Sequence, residues 1–384
     1  MSVLLGFVGD VLVDRENPRE IFNATREILA VPDILFANLE SAYTDDPHPI
    51  PSAPFAVWAP ARSLDAYAPA GFDVMSLANN HTVDVGYDAM LETRSRLRAA
   101  GVQTCGAGDS IADAREPAIV ERDGMRIAFL AYTSVMPIGT EARKSTPGVA
   151  PMRARSVWKD PFPTILTPGM RPIVTTIPDE DDLAGLREDI RRTRDRADLV
   201  ITSFHWGDHM SPFHLTDHEF RTAHFCIDNG ADMVVGHHHH ALRGMEWYRG
   251  KPIMYGLGHF VFDWRWPMNA SFAETEIGRY YRRNDYIPDG PPAGWPLLPF
   301  PEDSRLTAMA WAIAERGGVR EIGFLPCQLT NDGLVHPHGI ETSKGREVVS
   351  YLEKCNVSQV LNGRLEAAPE RSIAGHAVMR VLSQ

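Results

Sequence analysis

The 384-residue sequence has little cysteine, no long apolar run and no excess of positive charge. Its four cysteines lie far apart without a CxxC pair, which argues against a disulfide framework and a thiolate zinc site. No run of about 18 apolar residues occurs, so the sequence predicts no transmembrane helix. The net charge of -12 argues against a broad cationic surface for nucleic acid or anionic lipid.

Several common functional motifs are also absent from the sequence. It contains no GxGxxG and no GxxxxGK[ST], so no nucleotide-cradling loop is indicated, and it contains no GxSxG around a serine nucleophile. The apolar start of the chain is interrupted by Asp10 and lacks a basic region and a cleavage site, so it is not typical of a signal peptide. We therefore expect a soluble, cytoplasmic protein without a membrane anchor.

What the sequence does contain is an alternation of apolar and helical segments. Six apolar segments each end in a cluster of acidic, amide or imidazole side chains: Val3–Val8, Ile34–Ala37, Val74–Leu77, Leu199–Phe204, Met233–Val235 and Ile253–Leu257. Helical patterns cover Arg19–Leu29, Tyr87–Ala100 and Asp217–Asn229, the last with Gly230 as a stop signal. This alternation predicts a layered α/β fold, whose site is built by the polar residues beyond the strand ends.

The remaining chain is predicted to belong to the same single domain, residues 1–384. Two long segments, about 144–182 and 264–302, look like irregular insertions, and the aromatic content of the second favours a lid or substrate wall. Leu306–Ala314 and Val319–Leu325 look like a hairpin, and Ser343–Cys355 looks like a closing helix.

The polar residues at the strand ends have the chemistry of divalent-metal ligands. The set is Asp10, Glu40, Asn80, His205, His237 and one of His239 and His240. Carboxylates, imidazoles and amide oxygens hold divalent ions in hydrolytic sites. A carboxylate can bridge two ions about 3.5–4 Å apart, and Glu40 is the candidate bridge. The sequence therefore predicts a centre for two divalent ions, of Mn, Zn, Fe or Ca.

Four consecutive histidines follow the fifth strand segment. On extended backbone, adjacent side chains point in different directions, so we expect two ligands from the run His237–His240. Which of His238, His239 and His240 ligates is left open.

Other polar residues are predicted to move protons. His81 directly follows Asn80, too close for both to be undistorted ligands of one ion, so it suits an acid/base role with Asp84 orienting its ring. His209 and His259 follow strand-end motifs and are predicted to line the pocket as further catalytic groups.

As an ordered set, these motifs resemble the CapA family of capsule and poly-γ-glutamate synthesis proteins, which is similar to the calcineurin-like metallophosphatases. The matching residues are Gly9-Asp10, Asn38-Leu39-Glu40, Ser76 to His81 with Asp84 and Gly86, His205-Trp206-Gly207, Gly230 to His238, Lys251-Pro252-Ile253 and Tyr255 to Gly258. The resemblance implies a four-layer αββα sandwich of the metallo-dependent phosphatase type, with metals at one rim.

The sequence departs from the family pattern at four positions. His239 stands where relatives have proline, His209-Met210 where they have Glu-Tyr, and His259 where they have asparagine. Leu12 stands where the classical phosphatases have a metal-binding histidine, so one metal position is short of a ligand.

The resemblance and the residues together favour a metal-dependent enzyme that acts on a peptide or other amide-containing substrate. The reaction is either metal-assisted hydrolysis or epimerisation at Cα, because members that resemble this family include epimerases of ribosomal lasso-type peptides. The alternatives are a phosphoester hydrolase and a non-catalytic accessory of poly-γ-glutamate synthesis. No nucleic-acid partner is expected, and the oligomeric state is left open.

Overall fold

The structure is a computed structural model, and it describes residues 2–53, 56–263 and 302–383 together with Arg279 and Phe300. Most of the predicted lid, Trp264–Glu302, therefore lies outside the described residues. The strands and helices below are numbered in chain order over the described residues.

The strands occur throughout the described chain. They are β1 (Val3–Leu12), β2 (Ile34–Leu39), β3 (Ala42–Tyr43), β4 (Trp58–Ala59), β5 (Val74–Ser76), β6 (Gln103–Cys105), β7 (Ala107–Gly108), β8 (Ala118–Arg122), β9 (Met125–Thr133), β10 (Gly148–Val149), β11 (Ala154–Lys159), β12 (Ile173–Pro178), β13 (Leu199–His205), β14 (Met233–His237), β15 (Met245–Tyr248), β16 (Lys251–Met254), β17 (His259–Phe262), β18 (Leu306–Glu315), β19 (Gly318–Leu329), β20 (Val335–Pro337), β21 (Gly363–Ile373) and β22 (His376–Ser383).

Six α-helices and four 3-10 segments connect the described strands. The helices are α1 (Arg26–Leu29), α2 (Tyr87–Ala99), α3 (Ile111–Ala114), α4 (Glu180–Arg194), α5 (Asp217–Asp228) and α6 (Ser343–Ser358). The 3-10 segments are Pro18–Phe22, Ala61–Ala66, Ala68–Ala70 and Glu302–Arg305.

Most strands form two large sheets. The first has the order β21-β22-β19-β18-β1-β2-β5-β6, with β17 beside β1 and β20 beside β19. The second has the order β15-β16-β14-β13-β9-β8. In the first sheet β1, β2, β5 and β6 run parallel, and in the second β9, β13, β14 and β16 do. The predicted polar clusters lie at or just beyond the carboxyl ends of six of these strands, β1, β2, β5, β13, β14 and β16.

The two sheets face each other across an apolar core, and helices cover their outer sides. Phe36 of the first sheet stacks on Phe129 of the second, with ring centroids 5.3 Å apart. Met90 and Leu97 of α2 belong to the core on the outer side of the first sheet. Helices α4 and α5 pack on the outer side of the second sheet, where Leu186 contributes to a third core. The predicted four-layer αββα sandwich is confirmed by this arrangement.

Helix α5 shows how closely local sequence signals set an element. Thr216 and Glu219 form a capping box at its start, in which the Glu219 carboxylate accepts from the Thr216 backbone N–H at 2.6 Å. The helix ends at Asp228, and Gly230 follows with a φ of 106°, a conformation that glycine adopts without the Cβ penalty. The predicted first residue of the helix, Asp217, and the predicted stop signal, Gly230, are therefore both confirmed.

The structure corrects three predicted elements. The helix over Arg19–Leu29 is broken into a 3-10 segment and α1, because Thr25 Oγ1 donates to the Phe22 carbonyl and competes with the helical pattern. The segment 144–182 is not irregular throughout, since it contains the antiparallel pair β11–β12 and the start of α4. Helix α6 does not close the fold, because the hairpin β21–β22 follows it and joins the edge of the first sheet.

Candidate metal centre

The central strands of both sheets deliver their terminal side chains to one rim of the sandwich. Asp10 lies near the end of β1, Glu40 directly follows β2, and His205 ends β13. All three are buried, with relative exposures of 1% or less. Residues that are far apart in the sequence therefore meet because parallel strands present their carboxyl ends at the same edge.

Two overlapping groups of potential ligand atoms occupy this rim. Asp10, Glu40 and His205 form one group, and Glu40, His238 and His240 form the other. Within each group the ligand atoms lie within 4.8 Å of one another. Glu40 Oε1 lies 3.6 Å from both His205 Nε2 and His240 Nε2, so this carboxylate sits between the two groups. The position suits the bridging role predicted from the sequence, which stays a prediction.

The carboxylates of this cluster are buried without enough hydrogen-bond donors. Among the described residues, Asp10 Oδ2 and both carboxylate oxygens of Glu40 have no hydrogen-bond partner. Burial raises the pKa of Asp10 and of Glu40, and the proximity of each carboxylate to the other raises that of Glu40 further. Buried anions of this kind are stabilised by pairing with a cation or by metal coordination. The donor set therefore fits a divalent ion.

The imidazoles of the cluster are neutral, as metal ligands must be. Burial lowers the pKa of His205, His238 and His240 well below its usual value, because charged imidazolium is poorly solvated there. His238 Nδ1 lies 3.1 Å from His205 Nε2, and His240 Nδ1 lies 3.6 Å from Asp10 Oδ2. Neutral imidazole nitrogens and carboxylate oxygens thus converge on one small volume.

The backbone of the four-histidine run is strained at two positions. His238 has a φ of 91° and His240 a φ of 55°, in a region that residues with a Cβ rarely adopt. Such strain costs about 1–3 kcal/mol at a residue and concentrates at functional sites. The two strained residues are the two members of the run that reach the cluster, so the strain accompanies the delivery of both rings to one side.

The structure does not bring His237 and His239 into either group. His237 lies between the sheets, where Nδ1 is 3.4 Å from Ser203 Oγ and Nε2 is 3.5 Å from the Val8 carbonyl. His239 pairs with helix α5 instead, its Nε2 lying 2.9 Å from Glu219 Oε1. Both rings have local partners because they point away from the rim. The sequence left open whether His238 is a ligand. In the structure, His238 belongs to the cluster, and His237 and His239 do not.

A matched pair of substitutions tests this division of the histidine run. His238→Ala is expected to weaken divalent-metal binding by about 10–100-fold or more, since even partners outside the ligand set matter that much. His239→Ala is expected to keep the metal but lose about 1–3 kcal/mol of stability, because Glu219 loses a buried partner. Elemental analysis and thermal melts measure both effects. Metal loss in His239→Ala with retention in His238→Ala would reverse the assignment.

Three asparagines lie among or beside the candidate ligands. Asn80 Oδ1 lies 2.6 Å from His205 Nε2, which puts the predicted ligand Asn80 at the rim. Asn38 Nδ2 donates to Asp10 Oδ1 at 2.8 Å and lies 3.3 Å from His205 Nδ1. Asn79 Nδ2 in turn donates to Asn38 Oδ1. The orienting role of Asn38 was missed from the sequence, although its spacing of two from Glu40 places both on one side of an extended chain.

His81 and Asp84 form a hydrogen-bonded pair beside the ligands. His81 Nδ1 lies 2.6 Å from Asp84 Oδ2, and the same oxygen accepts from the Val57 backbone N–H at 2.9 Å. The His81 backbone N–H donates to Asn79 Oδ1, which ties this pair to the asparagine network. A carboxylate at Nδ1 orients the ring and favours the tautomer protonated there. The predicted contact between the two side chains is confirmed, and its catalytic role stays a prediction.

His209 and His259 both lie beside the cluster. The His209 ring centroid is 4.9 Å from that of His238, and burial lowers its pKa to about 4. The His259 ring is 4.5 Å from that of His240 in a largely apolar surrounding, and burial lowers its pKa to about 3. Neither nitrogen of His259 has a hydrogen-bond partner among the described residues. At neutral pH both imidazoles are therefore uncharged.

The two facing sheets, with a buried carboxylate–imidazole cluster at one rim, define an α/β protein with a candidate divalent-metal centre. Comparison with known families identifies residues 4–264 as a match to the family described as "Bacterial capsule synthesis protein PGA_cap". The chain belongs to this family, and the resemblance found in its sequence motifs is confirmed.

Curated relatives carry names from capsule and polymer synthesis. The chain is 28% identical to the "PGA biosynthesis protein CapA" of Bacillus subtilis over 270 residues, which cover 68% of this chain and 63% of the relative. It is 32% identical to the "Probable polyglutamine synthesis accessory protein Rv0574c" of Mycobacterium tuberculosis over 236 residues, 60% of this chain and 56% of the relative. The match thus spans less than two thirds of the length of these relatives.

The solved structures to which this chain is similar are more distant. A hypothetical protein from Thermus thermophilus is 16% identical with a TM-score of 0.45, and covers 85% of this chain and 99% of its own. The calcineurin-like phosphoesterase YfkN from Bacillus subtilis is 12% identical with a TM-score of 0.35, and covers 94% of this chain and 98% of its own.

Within the described part of the chain, no helix has the length and apolar character needed to cross a membrane.

Proposed function

We propose that this protein is a metal-dependent enzyme that moves a proton on a peptide or other amide-containing substrate. The observation that carries the proposal is the position of uncharged, buried imidazoles directly beside the candidate metal centre. A divalent ion held there would supply a Lewis acid that polarises a substrate oxygen. Asp10, Glu40, Asn80, His205, His238 and His240 are the residues that would hold it.

The residues around the centre supply both halves of acid/base chemistry. His209, with a pKa lowered to about 4, is unprotonated at neutral pH, so its ring nitrogen is available to a substrate proton although its basicity is weaker than that of an exposed imidazole. His81 is hydrogen-bonded to Asp84, whose carboxylate orients the ring beside the ligands. His259 provides a further uncharged imidazole on the Phe300 side of the cluster. One group can therefore remove a proton from the substrate while another returns one.

The specific reaction that we propose is epimerisation at a Cα atom of the substrate. An amide carbonyl polarised at the centre acidifies the adjacent Cα–H bond, so that one imidazole takes the proton and a second group delivers a proton to the opposite face. The substrate keeps its length and its atoms, and only one stereocentre changes. Hydrolysis of the amide is the alternative outcome of the same set of groups.

The surroundings of the centre suit an extended substrate. A groove runs from His209 along the hairpin β11–β12, where Arg155 and Thr176 line it together with His214. A second cavity, on the other side of His209 and His240, is lined by Arg243, Phe300 and Tyr351. The relatives' names refer to PGA and polyglutamine synthesis, that is, to amide-bearing polymers. These features support an amide-containing chain as the substrate.

Deuterium exchange distinguishes the reactions that this site could perform. The full chain, loaded with Mn²⁺ or Zn²⁺, is incubated in deuterated water with γ-glutamyl oligomers, α-linked peptides and an aryl phosphate. The proposal predicts deuterium at one Cα of an amide substrate without a change in its length, measured by mass spectrometry. Shorter products would support the amide-hydrolase form, and rapid release of the aryl alcohol would move the assignment to a phosphoester hydrolase.

A non-catalytic accessory role in polymer synthesis is the second candidate. It is favoured by the names of the relatives, one of which is called an accessory protein. This role predicts binding of γ-glutamyl oligomers without turnover. Binding that persists in His81→Asn, with no exchange or cleavage by the unaltered protein on any of the three substrates, would support it against the enzyme.

A further inference from the structure

The hairpin β11–β12 carries an unusual concentration of exposed apolar side chains. Of the twelve large hydrophobic residues that are exposed in the described chain, seven fall within residues 158–174: Trp158, Phe162, Ile165, Leu166, Met170, Ile173 and Val174. Leu166, at the tip, is 95% exposed. Scattered single apolar residues on a surface are ordinary, but a cluster of this kind marks an interaction site.

The charges of this hairpin have the opposite sign to those of the chain as a whole. Arg155, Lys159 and Arg171 are exposed on it, and Asp160 is the one acidic residue between residues 154 and 178. The complete chain carries a net charge of -12. This net charge argues against a broad cationic surface, but it is compatible with a single small projection, the hairpin β11–β12, that is basic and apolar. A collar of cations behind an apolar tip is complementary to anionic headgroups over acyl chains.

The backbone of the tip has few donors to lose on entering an apolar phase. Pro161, Pro163, Pro168 and Pro172 lack an N–H group, and all four lie between the two strands. Two further N–H groups are satisfied inside the tip, since Ile165 donates to the Phe162 carbonyl and Met170 to the Thr167 carbonyl. Unsatisfied backbone groups are what normally make a loop costly to place in lipid, so this tip is unusually compatible with it.

The apolar side chains leave the hairpin on both of its faces. Ile173 and Val174 are neighbours on β12, so their side chains point to opposite faces, yet they are 54% and 49% exposed. A folded partner or a second copy of this chain would cover one face and leave the other in water. A lipid surface surrounds an inserted tip on every side.

We propose that the tip of the hairpin β11–β12 inserts into the interface of an anionic lipid membrane. Phe162, Ile165 and Leu166 enter the boundary between headgroups and acyl chains, while Lys159 and Arg171 contact the headgroup phosphates. The attachment is peripheral, because the tip is a short loop without a spanning segment. The base of the same hairpin lines the groove that leads to His209, so attachment would hold this groove near the membrane surface.

Vesicle flotation with the full chain tests the proposal. The unaltered protein is expected to float with vesicles of phosphatidylcholine containing phosphatidylglycerol, and more weakly with phosphatidylcholine alone. Leu166→Asp is expected to lower the bound fraction at least about tenfold, because it places a charge at the inserted position. Val360→Asp is the matched control, since Val360 is 91% exposed elsewhere on the surface, and it is expected to bind as the unaltered protein does.

Further experiments test the role of Lys159 and Arg171 and the possibility that the tip binds a second copy of the chain. Lys159→Glu combined with Arg171→Glu is expected to abolish the preference for anionic vesicles, and raising the salt concentration is expected to weaken binding of the unaltered protein. Failure of the unaltered protein to bind anionic vesicles at low salt would overturn the proposal, as would unchanged binding by Leu166→Asp. A concentration-dependent dimer that Leu166→Asp dissolves, without vesicle binding, would assign the tip to a second copy instead.

Discussion

Asp10→Ala and His205→Ala are each expected to lose bound divalent metal, with affinity falling by more than about 100-fold. Loss of a partner outside the ligand set typically costs 10–100-fold, and these side chains belong to the set itself. Asp10 brings a buried carboxylate oxygen without a hydrogen-bond partner among the described residues, and His205 brings a neutral ring 3.6 Å from Glu40. Elemental analysis after dialysis against Mn²⁺ or Zn²⁺ measures the metal content of each variant.

The controls for this experiment lie on the surface. Asp46 and His48 form an exposed pair, with side-chain exposures of 88% and 74%, so Asp46→Ala and His48→Ala remove the same chemical groups away from the rim. Both controls are expected to retain the metal content of the unaltered protein. Equal metal content in Asp10→Ala, His205→Ala and the controls would show that the rim is not the metal centre.

His81→Asn is expected to cut turnover by about 10²–10⁴-fold while the metal stays bound, because general acid/base assistance contributes that range. The ring is held by Asp84 and the asparagine network rather than placed in either ligand group. Two measurements separate a role in acid/base chemistry from a role in metal binding. They are the turnover on the substrate identified by deuterium exchange and the metal content of the variant. Asp84→Asn is expected to lower turnover in the same direction, since the ring loses its orienting carboxylate.

His48→Asn serves as the matched control for His81→Asn, and it is expected to leave turnover unchanged. A His81→Asn protein that loses its metal would place His81 among the ligands. Full turnover with metal retained would remove it from the acid/base chemistry altogether.

The buried strands were predictable because each is a short apolar segment closed by polar residues. All six predicted segments correspond to strands or overlap them, and the helices over Tyr87–Ala99 and Asp217–Asp228 begin at the predicted residues. The carboxyl ends of parallel strands share an edge, so the meeting of Asp10, Glu40 and His205 follows from the pattern alone. The edge hairpin β21–β22 was missed, because no strand was predicted after α6.

The choice among the histidines could not be made from the sequence. Extended backbone would send His238 and His240 to one side and His237 and His239 to the other, but the side that faces the rim depends on the turn after β14. That turn uses positive φ values at His238 and His240, a conformation that residues with a Cβ adopt only rarely and that the sequence pattern does not predict. The backbone conformation of this turn therefore decides which two histidines face the rim, and the alternation of side chains along a strand could not decide it.

The hairpin β11–β12 shows a different limit of sequence reasoning. The prolines of the segment gave it an irregular appearance, but four of them lie in the connection between the strands, while Val157 and Trp158 pair with Thr175 and Val174 in a regular ladder. Strand pairing of this kind depends on two segments that are separated by a long connection. The exposure of its apolar side chains is a property of the folded chain and has no counterpart in composition.

The central claim is that the rim formed by β1, β2, β13 and β14 holds a divalent ion. Anomalous diffraction from crystals grown with Mn²⁺ tests it most directly. The account predicts an anomalous peak at coordination distance from Glu40, with Asp10 and His205 or His238 and His240 completing its ligands. A protein that crystallises with its rim intact but shows no peak there, or a peak bound by His237 and His239 instead, would contradict it.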